Sequence, residues 1–242
     1  MKLPDSAKEI PLRMLYVFAG AKRKADMEAV AQELVHITNN NGCGIHLNLT
    51  FDQWDVLRGG DSHDLTDIDL QRRLKGKVMS GDYDIIILSP PCESWSRVLF
   101  ANNLGPAPRR SRRHPWGVWS RSIYHRKKIS LANMLIEFTA ELLLAAKEAH
   151  HEEDWRLTRG LLEHPEDLGD HKNGSPASIF QLGRIRDLVN LHGYMTGAMY
   201  QCWAAPVPYA KPTRFISDIP NLVKKFFGGW PASRKDGDMA SA

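Results

Sequence analysis

Two side chains stand where chemistry needs them: Cys92, directly after Pro90 and Pro91, and Glu163, inside the run GLLEHP. A thiol attacks as its thiolate, so it must ionise from an ordinary pKa of about 8.5. A carboxyl group can hold or move a proton. Both residues follow apolar runs. DYDIIILS, from Asp82 to Ser89, reads as a central parallel strand buried on both faces. Prolines cannot donate to a ladder, so the chain must leave the sheet there and present Cys92 at the strand's carboxyl end. RGLLEHP repeats this pattern of a strand ending in proline. Cys43 and Cys202 lack such a setting and read as structural, and with no CxxC pair neither a disulfide framework nor a zinc site is expected.

The elements that must carry these residues follow from periodicity. RMLYVFAG, from Arg13, reads as a buried strand running into a turn at Gly20, and KADMEAVAQELVHI carries apolar residues at helical spacing. GIHLNLTF is a second strand, followed by a loop containing RGGDSHDLTD and a polar helix through about Lys77. ISLANMLIEFTAELLLAAKEAHH and ASIFQLGRIRDLVNLHG are further helices, and shorter strands lie around YMTGAMYQCW and TRFIS. Strands alternating with helices predict an α/β fold with a doubly wound, mostly parallel sheet. In such sheets ligands bind outside the carboxyl ends of the strands, so Gly20, Cys92 and Glu163 should meet in one crevice.

A chain of 242 residues accommodates a single domain, expected over 13–222 after an extension at 1–12, with a small C-terminal portion at 194–222 and a disordered tail from 223 to 242. The start MKLPDSAKEIPLR has charges where a signal peptide would need an apolar stretch, and no apolar run is expected to reach membrane-spanning length, so a soluble intracellular protein without a membrane partner is expected. The net charge of +4 is modest, but its distribution is not even. Between Arg97 and Lys128 arginines and lysines alternate with Trp116, Trp119 and Tyr124, and no acid interrupts them. A cationic loop with aromatics, at 98–128, suits phosphate contact and base stacking.

On these residues the sequence resembles the DNA cytosine-C5 methyltransferases. SPPCESWSR is similar to their Pro-Cys motif, VFAG to their cofactor loop and LLEHPED to their Glu-Asn motif; HDLTD and KPTRF add to the match over about Arg13 to Pro220. The resemblance implies a compact, Rossmann-like class I methyltransferase without a large recognition domain, using S-adenosyl-L-methionine on DNA. Cys92 would add to carbon 6 of cytosine, making carbon 5 nucleophilic, after the base has left the stack. The site should lower the thiol's pKa, with Arg97 as a candidate cation. Glu163 would hold or protonate N3, and Arg214 would touch the base or Glu163. His164 stands where the family has asparagine, and its imidazole can still donate a hydrogen bond to brace the Pro-Pro-Cys loop.

For the cofactor the resemblance implies Phe18, Ala19 and Gly20 at the methionine moiety, Asp52 or Asp55 at the ribose, and Asp64, Leu65 and Pro90 at the adenine. Asp64 reads equally well as a helix cap. Ala21, Lys22 and Arg23 replace further glycines of the family's loop. The nucleic-acid contacts are expected from Ser94, Ser96, Arg97, Arg109, Arg110, Arg112, Arg113, Arg121 and Lys211, and no metal is expected. A cysteine phosphatase would need five residues between cysteine and arginine, where Cys92 and Arg97 have four, and an adenine amino-methyltransferase is disfavoured by Ser89 and Cys92. Two alternatives stay open: an inactive relative that binds nucleic acid or protein through the basic loop, and an enzyme acting on RNA.

Overall fold

The computed structural model describes residues 8–24, 26–42, 44–101, 107–120, 122–152, 156–203 and 210–226. Arg121, Cys43 and the tail from 227 lie outside them. The strands are β1 (Lys8–Val17), β2 (Ile45–Trp54), β3 (Ile85–Leu88), β4 (Arg159–Pro165), β5 (Met195–Tyr200) and β6 (Pro212–Ser217). The helices are α1 (Met27–Asn40), α2 (Val56–Gly59), α3 (Ile68–Met79), α4 (Ile123–Lys147), α5 (Gly183–Asn190) and α6 (Leu222–Phe226).

The six strands form one sheet in the order β2-β1-β3-β4-β6-β5. β1 to β4 run parallel, and β6 is antiparallel to both of its neighbours. The chain moves one way from β1 to β2 and the other way from β2 to β3. Right-handed crossovers of opposite direction place α1 and α3 on opposite faces, so the sheet is doubly wound, with its switch point between β1 and β3. α3, α4 and α5 lie side by side on one of those faces.

Two boundaries differ from expectation. β1 starts at Lys8, not Arg13, because its first residues pair with β2 from Lys8 opposite Ile45. Pro11 is tolerated there: β3 joins β1 only from Met14, so the side of the strand that Pro11 cannot serve with an N–H has no strand beside it. At the other end the chain continues into α6 where a tail was expected from 223. The long helical run at ASIFQLG breaks into a 3-10 turn, Ile179–Gln181, before α5.

α4 corrects a further expectation. Among the described residues it is a helix long and apolar enough to cross a membrane by length and composition. Its apolar side chains Ile136, Phe138, Leu142 and Leu143 are buried in the core with Leu15, Val17, Ile86, Leu88 and Leu162 of the central strands.

Candidate active site

Register decides which strand tips become neighbours. Val17 of β1 lies beside Leu88 of β3, and Leu88 lies beside Leu162 of β4. The Gly20 turn, Cys92 and Glu163 therefore emerge in one row along the carboxyl edge, as expected. The last rung is Ser89 N–H to the Val17 carbonyl at 3.3 Å, after which Pro90 is buried and Pro91 is exposed. Cys92 is half-buried and starts a 3-10 turn, its carbonyl accepting from the Trp95 amide at 2.9 Å.

The Cys92 thiol shares its surroundings with three charges. Burial pushes its pKa up, the Lys211 ammonium pulls it down, and Glu163 and Glu93 push it up again. The net effect is upward, which corrects the expectation that the site lowers it. Lys211, expected on nucleic acid, pairs with Glu163 at 3.3 Å. It is the cation acting on the thiol. Arg97 is not: its guanidinium donates to the carbonyls of Gly169 and Asp170 at 2.6 and 2.9 Å, in the loop after β4.

Arg214 is also placed differently. It sits on β6 opposite His164, on the face away from Glu163, and makes a forked ion pair with buried Glu166, with its Nε 2.8 Å from Oε2. The reason is strand alternation, which sends Glu163 to one face and His164 and Glu166 to the other. Glu166 itself was missed, although it lies in the same EHPED run. His164 is 1% exposed and packs edge-on against Phe180 at 6.0 Å. Among the described residues neither of its ring nitrogens has a hydrogen-bond partner. It does not brace the Pro-Pro-Cys loop.

The brace comes from Arg110. Expected on nucleic acid, it is 2% exposed and lies over the Trp95 ring, 3.8 Å from its centroid. Its donors reach the Ser94 hydroxyl at 3.0 Å, the Pro115 carbonyl at 2.8 Å, Asn133 Oδ1 at 2.6 Å and the Ile129 carbonyl at 3.4 Å. Burial brings its pKa down to about 10, so it stays charged at neutral pH. Asn133, a lone amide in the apolar run of α4, was the one sequence signal for this buried partner. Ser94 is thus an acceptor for Arg110, and Ser96 caps the 3-10 turn Arg97–Phe100. Arg112 pairs with Asp167 at 2.9 Å. Among the described residues of the basic loop expected on nucleic acid, Arg109 is half-buried and Arg112 and Arg113 are exposed.

Of the residues expected at the cofactor, Phe18 and Gly20 both take left-handed backbone, with φ of 62° and 68°, and among the described residues nothing lies within 4 Å of where a Gly20 Cβ would point. The Gly20 amide donates to Asp55 at 2.9 Å, and its carbonyl accepts from Arg58 at 2.7 Å. Asp55 therefore belongs to this turn. Asp52 lies deeper along β2, where it accepts from the Tyr83 hydroxyl at 2.7 Å. Asp64 accepts from Thr66 N–H at 2.9 Å, and the cap of α3 is Asp67. The Leu65 side chain is buried in the core, so only its backbone faces outward chemistry. The sequence also missed the Trp54 ring stacked on His63, 4.8 Å between centroids, at the end of β2.

Compared with known proteins, the chain matches no protein-family model and no curated protein.

Proposed function

We propose that the protein transfers a methyl group from S-adenosyl-L-methionine to carbon 5 of cytosine in DNA through a covalent Cys92 adduct. The observation that carries this reading is the convergence of Cys92, Glu163 and Lys211, drawn from strand tips that adjoin through the aligned Leu88 and Leu162. The sheet supports it as well. The parallel strands β1 to β4 bring their carboxyl ends to one edge, outside which sheets of this kind bind their ligands. The open space over Gly20 and the acid at the end of β2 suit the methionine and ribose parts of the cofactor. When bound, that cofactor supplies an electrophilic methyl sulfonium.

The chain's own residues do the rest. The Cys92 thiolate forms a bond to carbon 6, and the electron pair of the 5,6 double bond moves into the ring toward N3. Glu163 meets N3, and the Lys211 ammonium beside it offsets the negative charge that builds there. Carbon 5 would then accept the methyl group as its bond to the cofactor's sulfur breaks, the sulfur keeping the electron pair and leaving as a neutral thioether. Loss of its proton to water and expulsion of the thiolate then restore the double bond.

Incubation with labelled S-adenosyl-L-methionine and DNA or RNA, followed by nucleoside analysis, tests the reading. Labelled 5-methylcytosine from DNA is expected, and Cys92→Ser should abolish it while cofactor binding by calorimetry is retained. Transfer by Cys92→Ser would remove the nucleophile, and label found only in RNA would move the substrate. One observation favours a second reading, a nucleic-acid-binding relative without transfer: the thiol is held above its ordinary value. Absence of cofactor binding would decide for it.

A further inference from the structure

A cavity of about 350 Å³ opens between the basic loop and the first turns of α4, lined by Arg109, Trp116, Trp119, His125, Arg126 and Ser130 among others. That volume lies within the range of about 300–1,000 Å³ usual for small-ligand sites. Its walls are built. Gly117 comes so close to α4 that a Cβ would meet Ile129 at 2.6 Å, Val118 N–H donates to the Arg109 carbonyl at 2.8 Å, and Asn133 donates to the Trp116 carbonyl at 2.9 Å.

The lining selects a chemistry. Among the described residues every ionisable group in it is an arginine or a histidine, and no carboxylate lines it. An amine or a methylated lysine would meet the like charge of Arg109 and Arg126. Two indoles offer flat π surfaces, and Trp119 leaves 76% of its surface in water. An anion with an aromatic ring fits: a nucleotide, its base stacked on indole and its phosphate against guanidinium. Trp116 also touches Trp95 edge-on at 6.4 Å, and Trp95 hydrogen-bonds back to the Cys92 carbonyl. The cavity is one aromatic layer away from the nucleophile's loop.

We infer that this cavity is a nucleotide subsite taking a second unstacked base of the DNA strand whose cytosine reaches Cys92, with the ring on Trp119 and the phosphate between Arg109 and Arg126. The inference rests on the nucleic-acid reading of Cys92 and names how the strand beside the target is held.

The test uses the full chain without cofactor. Fluorescence anisotropy measures binding of labelled single-stranded 12-mers with one central cytosine and an abasic site walked along each side. A missing base that stacks should cost on the order of tenfold in affinity. One position on one side of the cytosine is expected to be sensitive. Trp119→Ala should lose a similar factor on the intact strand and no longer distinguish the abasic one, while circular dichroism shows its fold unchanged. A flat profile along the strand overturns the subsite, and so does a Trp119→Ala protein that keeps both affinity and abasic penalty. The two readings fail separately. A sensitive position without methyl transfer leaves the subsite and removes the enzyme, and transfer with a flat profile does the reverse.

Discussion

At Cys92 two opposite charges compete for one thiol, and each can be removed alone. Lys211 favours the thiolate and Glu163 opposes it. Glu163→Gln should therefore lower the thiol's pKa and speed alkylation of Cys92 by iodoacetamide at pH 7.5, whereas Lys211→Met should slow it; a shift of one pKa unit changes the thiolate fraction about tenfold. In the unaltered protein the alkylation rate should climb with pH to a midpoint above about 8.5, the ordinary thiol value. Peptide mapping by mass spectrometry isolates Cys92 from the other two cysteines. Matching responses of the two variants would mean that the three groups do not share a site. Methyl transfer should behave otherwise: Glu163→Gln loses it although its thiol is more reactive, because an amide cannot give N3 a proton.

Elements explain what could be read in advance. β3 and β4 were legible because apolar runs stopped by proline have few alternatives, and the row of Gly20, Cys92 and Glu163 follows from those strands lying side by side. The reversal of β6 was not legible, since TRFIS reads the same in either direction and its pairing depends on distant residues. Nor were the fates of the arginines. A run of arginines without acids looks like a surface for polyanions, but Arg97 finds carbonyls at 169 and 170, Arg112 finds Asp167 and Arg110 finds Asn133. Those partners lie far along the chain, and only the packing of the basic loop between α4 and the loop after β4 brings them near. This argues for a pinned loop, which can be checked. Arg110→Met removes a buried guanidinium from four partly buried acceptors, so it should cost on the order of 3 kcal/mol and lower Tm by about 10 °C in a domain of this size. An unchanged Tm would mean that the guanidinium is not what holds the loop.

For the molecule as a whole, acid should be the weak point, and His164 sets part of it. Its pKa in the folded chain is brought down to about 3, chiefly by burial, against about 6.5 when unfolded. Above pH 6.5 neither state takes up the proton, so its contribution is complete there. As pH falls from 6.5 toward 3 the unfolded chain binds a proton that the native chain refuses, and stability is lost at up to roughly 1 kcal/mol per pH unit. Urea unfolding of the wild type and His164→Asn at pH 7, 6, 5 and 4 isolates the effect, because the other histidines cancel in the difference. The difference in stability should drift steadily in favour of the variant as the solution is acidified. A constant difference would place the imidazole in water.

The buried guanidinium of Arg110 has a consequence for how such a protein can change. It serves the Ser94 hydroxyl in the turn after Cys92, the turn that carries Trp116, and the long helix behind both. A graft that exchanged residues 107–120 for a foreign segment would leave that helix and the nucleophile's turn with orphaned acceptors. The basic loop is therefore not a detachable cassette: loop, long helix and the turn at Cys92 have to be inherited, and altered, as one block.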